Sequence, residues 1–263
     1  MNVVYAVLSS GSIGNSYVFT DGATTIMVDA GLSLRQTTLR LANIGLTPEN
    51  IDALFLTHLH PDHAKSANKL AHAYNFPLYV NEYSLYNDPA AIKKYEMIDE
   101  YIYPLDPGEE IKIGSFLIVA FNLYHDAPGT VGYKITHIPS EKVFTIITDT
   151  GKVDEISQNA ASDADVLFLE ANYCPFMLAK GPYPKFLKDR IRSDHGHLSN
   201  DDAFDVLNNC TDKVSRIVCF IHRSENNNCF DAIDVGLDIV ESSKYSSAYI
   251  LDRGEFFANY ISY

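Results

Sequence analysis

Hydrophobic and polar positions alternate along this chain in short runs, and these runs predict a protein rich in β-strands. Apolar and β-branched residues recur over four to eight positions between turn-forming residues, which is typical of strands. The predicted strands are Val3–Ser9, Tyr17–Thr20, Thr25–Val28, Ala53–Thr57, Leu78–Val80, Ile111–Ile113, Phe116–Phe121, Val131–Thr136, Val143–Thr148, Val166–Glu170, Ile217–Ile221 and Ala248–Leu251.

Helical periodicity appears between some of these runs. The predicted helices are about Leu34–Ile44, Ala64–Tyr74, Asn200–Asn208 and Phe230–Glu241. Many strands follow one another as in hairpins, whereas others are followed by helices, and this mixture predicts two packed sheets with helices outside, an αββα layering. Because no internal repeat, low-complexity segment or linker is visible, we predict one domain over residues 1–263.

Composition narrows the class of protein. No apolar run approaches the roughly 20 residues of a membrane helix, and the N-terminal residues lack the basic region and cleavage site of a signal peptide. The four cysteines form no C-x-x-C pair, which favours a reducing compartment over a disulfide scaffold; they are Cys174, Cys210, Cys219 and Cys229. We therefore expect a soluble cytoplasmic protein.

Charge is unevenly distributed along the chain. The formal net charge of −14 argues against a broad nucleic-acid-binding surface. One segment differs, because it carries five cations and a single anion, Asp189; the cations are Lys180, Lys185, Lys188, Arg190 and Arg192. This basic segment could meet an anionic substrate, and a solvated helix face is the alternative interpretation.

The densest chemistry lies in the six residues His58-Leu59-His60-Pro61-Asp62-His63, directly after the predicted strand Ala53–Thr57. Imidazole and carboxylate groups together suit divalent transition metals such as zinc. If His58 and His60 point to one side, Asp62 and His63 can turn to a second centre. The spacing therefore favours two metal ions.

Further ligands of a two-metal site should lie at the ends of other strands. His125 follows Phe116–Phe121, Asp149 follows Val143–Ile147, and His222 follows Ile217–Ile221. A polar group at the end of a buried-looking strand has little structural reason to be there. Asp29, which follows Thr25–Val28, is in a position to hydrogen-bond the metal loop.

Taken together, these motifs resemble the metallo-β-lactamase superfamily, in which H-x-H-x-D-H is the metal motif, and more specifically its YycJ/WalJ-like subfamily. Besides the metal loop, the segments that carry this resemblance are Leu8–Ser16, Val28–Ser33, His125–Ala127, Thr148–Gly151, Gly181–Pro184, Leu187–Ile191, Gly196–Asn200 and Glu225–Asn227. Two stretches depart from the expected pattern. Glu170-Ala171-Asn172-Tyr173 stands in place of a Glu-x-Asn-His-like stretch, and His222-Arg223-Ser224 in place of His-Leu-Ser.

The resemblance implies a fold and a ligand set. The fold would be a four-layer αββα sandwich with two mixed sheets, and the protein a metal-dependent hydrolase. One metal would be held by His58, His60 and His125, the other by Asp62, His63 and His222, with Asp149 bridging them. Two cations about 3.5–4 Å apart lower the pKa of a shared water from about 15.7 towards about 7, so that hydroxide is present at neutral pH. Zinc is favoured, with manganese or iron as alternatives.

The resemblance also implies residues that act on the substrate. Asp62 and His197 are the predicted catalytic residues, and the stretch Gly-His-Leu-Ser-Asn singles out His197 over His195 as the group that contacts a phosphate or protonates the leaving oxygen. A purely structural role in the capping loop before Ser199 is the alternative for His197. Two features outside the resemblance add predicted substrate-binding residues. The small, polar loop Ser9–Ser16 could bring backbone N–H groups close to an anion, with a plain turn as the alternative, and the basic segment could meet an anionic substrate. The predicted substrate-binding residues are Ser10, Ser12, Asn15, Lys188, Arg190 and His197.

Two functions remain open from the sequence. The subfamily is associated with 5′-to-3′ DNA exonuclease activity, so the first interpretation is a phosphodiesterase that acts on nucleic acid. The alternative is hydrolysis of a small phosphodiester or thioester metabolite, because the same ligands would serve both reactions. An open groove towards Lys185 and Arg190 would favour nucleic acid, and a small closed pocket the metabolite. A two-iron redox enzyme is disfavoured, since such members carry Glu at the position of His60.

Overall fold

The computed structural model describes residues 2–97 and 100–262. Met1 and Tyr263, the two ends of the predicted domain, lie outside these residues, and the single-domain assignment stays a prediction. Across the described ranges the strands are β1 Asn2–Ser9, β2 Ser16–Thr20, β3 Thr25–Val28, β4 Ala53–Phe55, β5 Leu78–Asn81, β6 Ile102–Leu105, β7 Glu110–Ile113, β8 Phe116–Asn122, β9 Val131–His137, β10 Lys142–Ile147, β11 Val166–Glu170, β12 Ile217–Ile221, β13 Ser247–Ile250 and β14 Phe257–Ser262.

Helices connect and cover these strands. In the same described ranges they are α1 Leu34–Ala42, α2 Pro61–Ala64, α3 Ala67–Tyr74, α4 Glu82–Asn87, α5 Pro89–Lys94, α6 Glu155–Asp163, α7 Pro175–Lys180, α8 Lys185–Ile191, α9 Asn200–Asn208 and α10 Phe230–Asp234, with 3₁₀ turns at Pro48–Asn50 and Val235–Ile239. Within residues 2–97 and 100–262, none of the helices combines the length and the apolar character needed to cross a membrane.

The strands form two seven-stranded sheets, in the orders β14-β1-β2-β3-β4-β5-β6 and β13-β12-β11-β10-β9-β8-β7. In the first sheet, neighbours from β14 to β3 are antiparallel and neighbours from β3 to β6 are parallel. In the second sheet, neighbours from β7 to β10 are antiparallel and neighbours from β10 to β13 are parallel. The prediction of two mixed sheets in an αββα arrangement is confirmed.

Successive side chains of the inner strands pack into different hydrophobic cores, one between the two sheets and one between each sheet and its helices. In β3, Ile26 and Val28 pack between the two sheets, whereas Met27 packs in the layer that α1 and α3 cover. In β11, Phe168 packs between the sheets and Leu167 in the layer of α6 and α9. Because successive side chains point to opposite faces and both faces are covered, these strands are apolar at nearly every position. That double coverage explains why they stand out in the sequence as continuous apolar runs.

The elements differ from the prediction in several places, and the helices α4 to α8 are not among the predicted ones. Every predicted strand is present with ends within two residues, but β6 and β14 at one sheet's edges were not predicted. The predicted helix Ala64–Tyr74 is wrong at its start, since α2 and α3 are separate helices. The predicted helix Phe230–Glu241 is too long: α10 ends at Asp234 and a 3₁₀ turn follows. Gly236 lies in that turn and lowers the helix propensity of the segment.

Candidate active site

The structure brings all seven predicted metal ligands together at one edge of the sandwich. One ligand atom from each member of two triads lies within 4.8 Å of the others in its triad; the triads are His58, His60 and His125, and Asp62, His63 and His222. Asp149 lies between them, with Oδ2 3.3 Å from His63 Nε2 and Oδ1 3.8 Å from His125 Nε2. This placement agrees with the predicted division into two centres, and the metal-binding roles themselves stay a prediction.

Three residues at this edge, each directly after a strand, have an unusual left-handed backbone conformation. Asp29 after β3, Asp149 after β10 and His222 after β12 have φ angles of 61°, 54° and 55°. Left-handed backbone is uncommon for residues with a side chain and costs on the order of 1–3 kcal/mol. Such strain clusters at active sites in general, so its presence at three strand ends makes this edge a candidate functional site.

The metal loop is fastened by the backbones of the two turns beside it. Asn15 N donates to Asp62 O at 2.7 Å, and Ala30 N donates to His63 O at 2.7 Å. A Cβ atom on Gly31 would lie only 1.6 Å from Asp62 O, so a side chain at this position would push the loop away. Glycine therefore allows the close approach that holds the metal loop in place.

Four of the predicted histidine ligands are oriented through Nδ1. Each Nδ1 donates to a fixed acceptor, which turns Nε2 towards the site; the pairs are His58 with Thr57 Oγ1 (3.0 Å), His63 with Asp29 Oδ2 (2.7 Å), His125 with Gly196 O (2.9 Å) and His222 with Glu170 Oε1 (2.8 Å). Thr57 Oγ1 in turn donates to Asp29 Oδ2 at 2.9 Å. The expected contact of Asp29 with the metal loop is confirmed.

The donor atoms fit divalent metal ions. Among the described residues, the Nε2 atoms of His58 and His222 are buried and have no hydrogen-bond partner. A buried polar atom without a partner is costly, and coordination of a metal ion would satisfy it. The combination of imidazoles with the carboxylates of Asp62 and Asp149 suits zinc, manganese or iron. These residues therefore fit two divalent ions, and the identity of the metal stays open.

The pKa shifts of the histidines differ between the two triads. Burial lowers the pKa of His58, His60 and His125, so these imidazoles are neutral, which is the form that binds a metal ion. Burial would also lower the pKa of His222, but the carboxylates of Asp149, Asp62 and Glu170 outweigh it and raise the pKa to about 10. The end of the site around His222 is thus rich in negative charge and attracts a cation.

A cavity of about 410 Å³ lies over the two triads. Among the predicted substrate-binding residues, Ser12, Arg190 and His197 line this cavity. Leu187 and Ile191 of α8 form part of one wall, so the basic segment reaches the site through one face of this helix.

The other three predicted substrate-binding side chains make internal contacts. Ser10 Oγ accepts a hydrogen bond from His222 N at 2.7 Å, and Asn15 Nδ2 lies 2.8 Å from His63 Nε2. Lys188 Nζ donates to Ala179 O at 2.9 Å. Ser10 therefore holds the backbone of a proposed ligand, Asn15 contacts the Nε2 atom that His63 would offer to a metal ion, and Lys188 fastens α8 to α7. The structure does not favour direct substrate contact by any of them, because none lines the cavity as described.

Glu170 is a candidate site residue that the sequence pattern did not single out. Its buried Oε1 accepts from the Nδ1 atoms of both His197 and His222 at 2.8 Å. Its Oε2 accepts from Thr150 N and Leu198 N. Burial would raise the pKa of Glu170, but His197 and His222 outweigh it and lower the pKa to about 2, so the carboxylate stays charged. The signal in the sequence was a charged residue at the end of the apolar run β11.

The geometry also separates the two histidines of the capping loop. With Nδ1 held by Glu170, the side chain of His197 is 20% exposed and lines the cavity over the metal ligands. His195 instead lies near Tyr124, with ring centroids 6.3 Å apart, on the wall of a different cavity. The prediction that favoured His197 over His195 agrees with these positions.

Asp126 is a second residue that was missed. Its Oδ1 lies 3.4 Å from His125 Nε2 and 3.6 Å from His60 Nε2, and its Oδ2 accepts from Arg190 Nε. The carboxylate therefore connects the first triad to α8 and fixes the guanidinium of Arg190 at the cavity wall. Its position directly after His125 was the available sequence signal.

Comparison with protein families and with curated proteins identifies relatives. The model of the beta-lactamase superfamily domain matches residues 24–222. Exodeoxyribonuclease WalJ of Streptococcus pneumoniae (serotype 2, strain D39) is 33% identical over 226 residues, which cover 85% of this chain and 82% of that protein. Exodeoxyribonuclease YycJ of Bacillus anthracis is 31% identical over 229 residues, which cover 87% of this chain and 85% of that protein.

Solved structures agree on the fold. The metallo-β-lactamase fold protein YhfI from Bacillus subtilis superposes with a TM-score of 0.72, covering 98% of this chain and 99% of its own, at 16% sequence identity. At that identity the likeness concerns the fold alone, and it confirms the predicted metallo-β-lactamase sandwich.

Proposed function

The chain belongs to the metallo-β-lactamase superfamily, in its YycJ/WalJ-like subfamily, and from that premise we propose that this metal-dependent hydrolase cleaves phosphodiester bonds of DNA from a strand end. Two relatives that match over most of their length bear the name exodeoxyribonuclease, which supports DNA as the substrate. The resemblance of the motifs supports attack from the 5′ end.

One observation carries the chemical part of the proposal. Four histidines are fixed through Nδ1, so that their Nε2 atoms and the carboxylates of Asp62 and Asp149 face a common space beneath an open cavity. A site built in this way suits two divalent ions, which when bound would act as Lewis acids and lower the pKa of water. Asp62, a predicted catalytic residue, would take part as a ligand of the second ion.

The protein's own residues would do the remaining work. Arg190, held by Asp126, presents N–H groups at the cavity wall where a phosphate oxygen would lie. His197 is held through Nδ1 by the charged Glu170, and its ring lines the cavity. In this position His197 would donate a proton to the leaving oxygen of the nucleotide.

Hydrolysis of end-labelled DNA by the purified protein, loaded with Mn²⁺ or Zn²⁺, tests the proposal. We expect release of mononucleotides from the 5′ end of single- or double-stranded DNA, and loss of this activity by at least a hundredfold in Asp149→Ala. Arg35→Ala, which alters an exposed residue of α1, is the matched control and should cleave as the wild type does. Cleavage of bis(p-nitrophenyl) phosphate without any cleavage of DNA would overturn the DNA assignment and favour a small diester.

A further inference from the structure

The groove over the metal ligands does not end at the cavity described above. A second cavity of about 440 Å³ shares four residues with it, Arg223, Ser224, Glu225 and Arg253, and extends to Ile13 and Asp252. A substrate bound at the candidate metal centre would therefore continue past two arginines. Neither arginine belongs to the basic segment that the sequence singled out.

Both guanidinium groups are held in position by the surrounding loops. The stem of Arg253 lies over Gly11, where a Cβ would be 3.3 Å from Arg253 Cγ. Arg253 Nη1 pairs with Glu225 Oε2, and Arg223 Nη2 pairs with Asp252 Oδ1. Asp252 Oδ1 also accepts from Arg253 N at 2.7 Å, so that one carboxylate links the two arginines.

The arginines lie deeper than the acids that they contact. The side chains of Arg223 and Arg253 are 13% and 27% exposed, against 71% for Asp252 and 62% for Glu225. Ion pairs of exposed carboxylates contribute little and are screened by salt, so an incoming anion competes with them readily. In addition, both arginine Nε atoms are buried and lack a hydrogen-bond partner in the described part of the chain.

We propose that Arg223 and Arg253 bind a second phosphate group of the substrate, next to the phosphodiester at the metal centre. The guanidinium group offers several N–H donors in a planar fork that matches phosphate oxygens, and both arginines line the two adjoining cavities. Ser12, which lines the same cavity, adds a hydroxyl group. The inference rests on the proposed function, because nucleic acid carries a further phosphate one nucleoside away from the diester at the metal centre.

Binding of two nucleotides tests this site without any hydrolysis. Thymidine 3′,5′-bisphosphate and thymidine 5′-monophosphate differ by one phosphate, and neither contains a diester bond. We expect the metal-loaded wild-type protein to bind the bisphosphate about tenfold more tightly, as measured by isothermal titration calorimetry, since charge-assisted hydrogen bonds to one phosphate give roughly this preference.

Variants separate phosphate binding from a structural link between loops. Arg253→Ala should reduce the preference for the bisphosphate to nearly one, and Arg253→Lys should keep part of it. Glu225→Gln removes the ion pair of Arg253 and should increase the preference for the bisphosphate. The same substitution in Arg253→Ala protein should not increase it. Arg35→Ala is the matched control and should retain the wild-type preference. Circular dichroism verifies folding, and Arg253 is chosen over Arg223 because the latter adjoins His222.

The outcomes distinguish this inference from the proposed function. A wild-type protein without preference for the bisphosphate, or a folded Arg253→Ala protein with an unchanged preference, would overturn the second phosphate site. An equal loss in Glu225→Gln and Arg253→Ala would also overturn it, because a mere ion-pair link requires both partners. Both nucleotides are phosphate monoesters. The measured preference for the bisphosphate is therefore independent of whether the enzyme cleaves DNA.

Discussion

At the scale of single residues, Glu170 connects the metal ligands to the residue proposed to hold a proton. One of its oxygens accepts from both His197 and His222, and the other is held by two backbone N–H groups. The negative charge orients both rings and favours their N–H forms at Nδ1. A neutral amide at this position would keep the shape but remove the charge.

We expect Glu170→Gln to lower kcat for bis(p-nitrophenyl) phosphate by about 10- to 100-fold, because outer contacts of metal ligands typically contribute that much to activity. The loss should appear in kcat more than in KM, since the carboxylate lies beneath the cavity and faces no substrate. Steady-state kinetics of metal-loaded protein measures it, with Asp205→Asn on the exposed face of α9 as the control. A kcat within twofold of the wild type would contradict this role.

The site residues that the sequence predicts are polar or charged residues at the ends of apolar runs. His125, Asp149 and His222 each end an apolar run, so their candidacy as ligands needed no structure. Glu170 also ends such a run, but its function depends on two rings that reach it from distant loops. The proposed phosphate contact of Arg253 depends on its partly buried position in the groove. The local sequence pattern around Arg253 does not predict that burial.

At the scale of elements, the strands were predictable because both faces of each inner strand are covered. The edge strand β6 was missed because Pro104 interrupts its pattern, and proline is tolerated at a sheet edge, where one row of backbone donors is free of the ladder. The helix α6 was missed because its buried side is made of alanines such as Ala160 and Ala161, which give little hydrophobic periodicity.

The pair α7 and α8 is the element with the most direct bearing on substrate. None of the seven residues of α8 is buried, and Phe186 and Phe176 on the two helices are 74% and 71% exposed. Exposed aromatic rings among lysines and arginines are typical of surfaces on which bases of single-stranded nucleic acid stack. These exposed rings make α7 and α8 a candidate surface for single-stranded nucleic acid.

We expect Phe186→Ala to weaken binding of single-stranded oligonucleotides about tenfold, because stacking of one base on an aromatic side chain contributes roughly 1–3 kcal/mol. Fluorescence anisotropy with a labelled oligothymidylate and metal-loaded protein measures the dissociation constant. Tyr260→Ala removes an exposed ring from the edge strand β14 and serves as the control. Equal dissociation constants for Phe186→Ala and wild type would show that no base stacks on this ring.

At the scale of the whole molecule, the two sheets are also linked by a polar network in the turns. Asp21, in the turn between β2 and β3, accepts from Ser115 Oγ at 2.6 Å and lies 3.3 Å from His137 Nε2, both in the second sheet's hairpins. Burial would raise the pKa of Asp21, but hydrogen bonds from Ser115, Thr24 and Ala23 outweigh it and lower the pKa to about 2. Charged Asp21 is thus more stable in the folded protein than in the unfolded chain.

Because the folded pKa is lowered, this stabilisation is present above about pH 4 and is lost as the pH falls towards 2. We expect Asp21→Asn to reduce the free energy of unfolding by about 1–2 kcal/mol at pH 5.5 and by less at pH 3. Urea unfolding of metal-free protein at both pH values measures the difference, with Asp205→Asn as the control. A deficit that is the same at both pH values would contradict the assignment to the charge of Asp21.

The proposed activity depends above all on whether the two triads and Asp149 hold two metal ions. The most direct measurement is an anomalous difference map from crystals of the metal-loaded protein, recorded at the absorption edge of the bound metal. We expect two peaks about 3.5–4 Å apart, one among His58, His60 and His125 and the other among Asp62, His63 and His222, with Asp149 touching both. A single peak at this edge of the sandwich, or peaks elsewhere, would contradict the dinuclear centre.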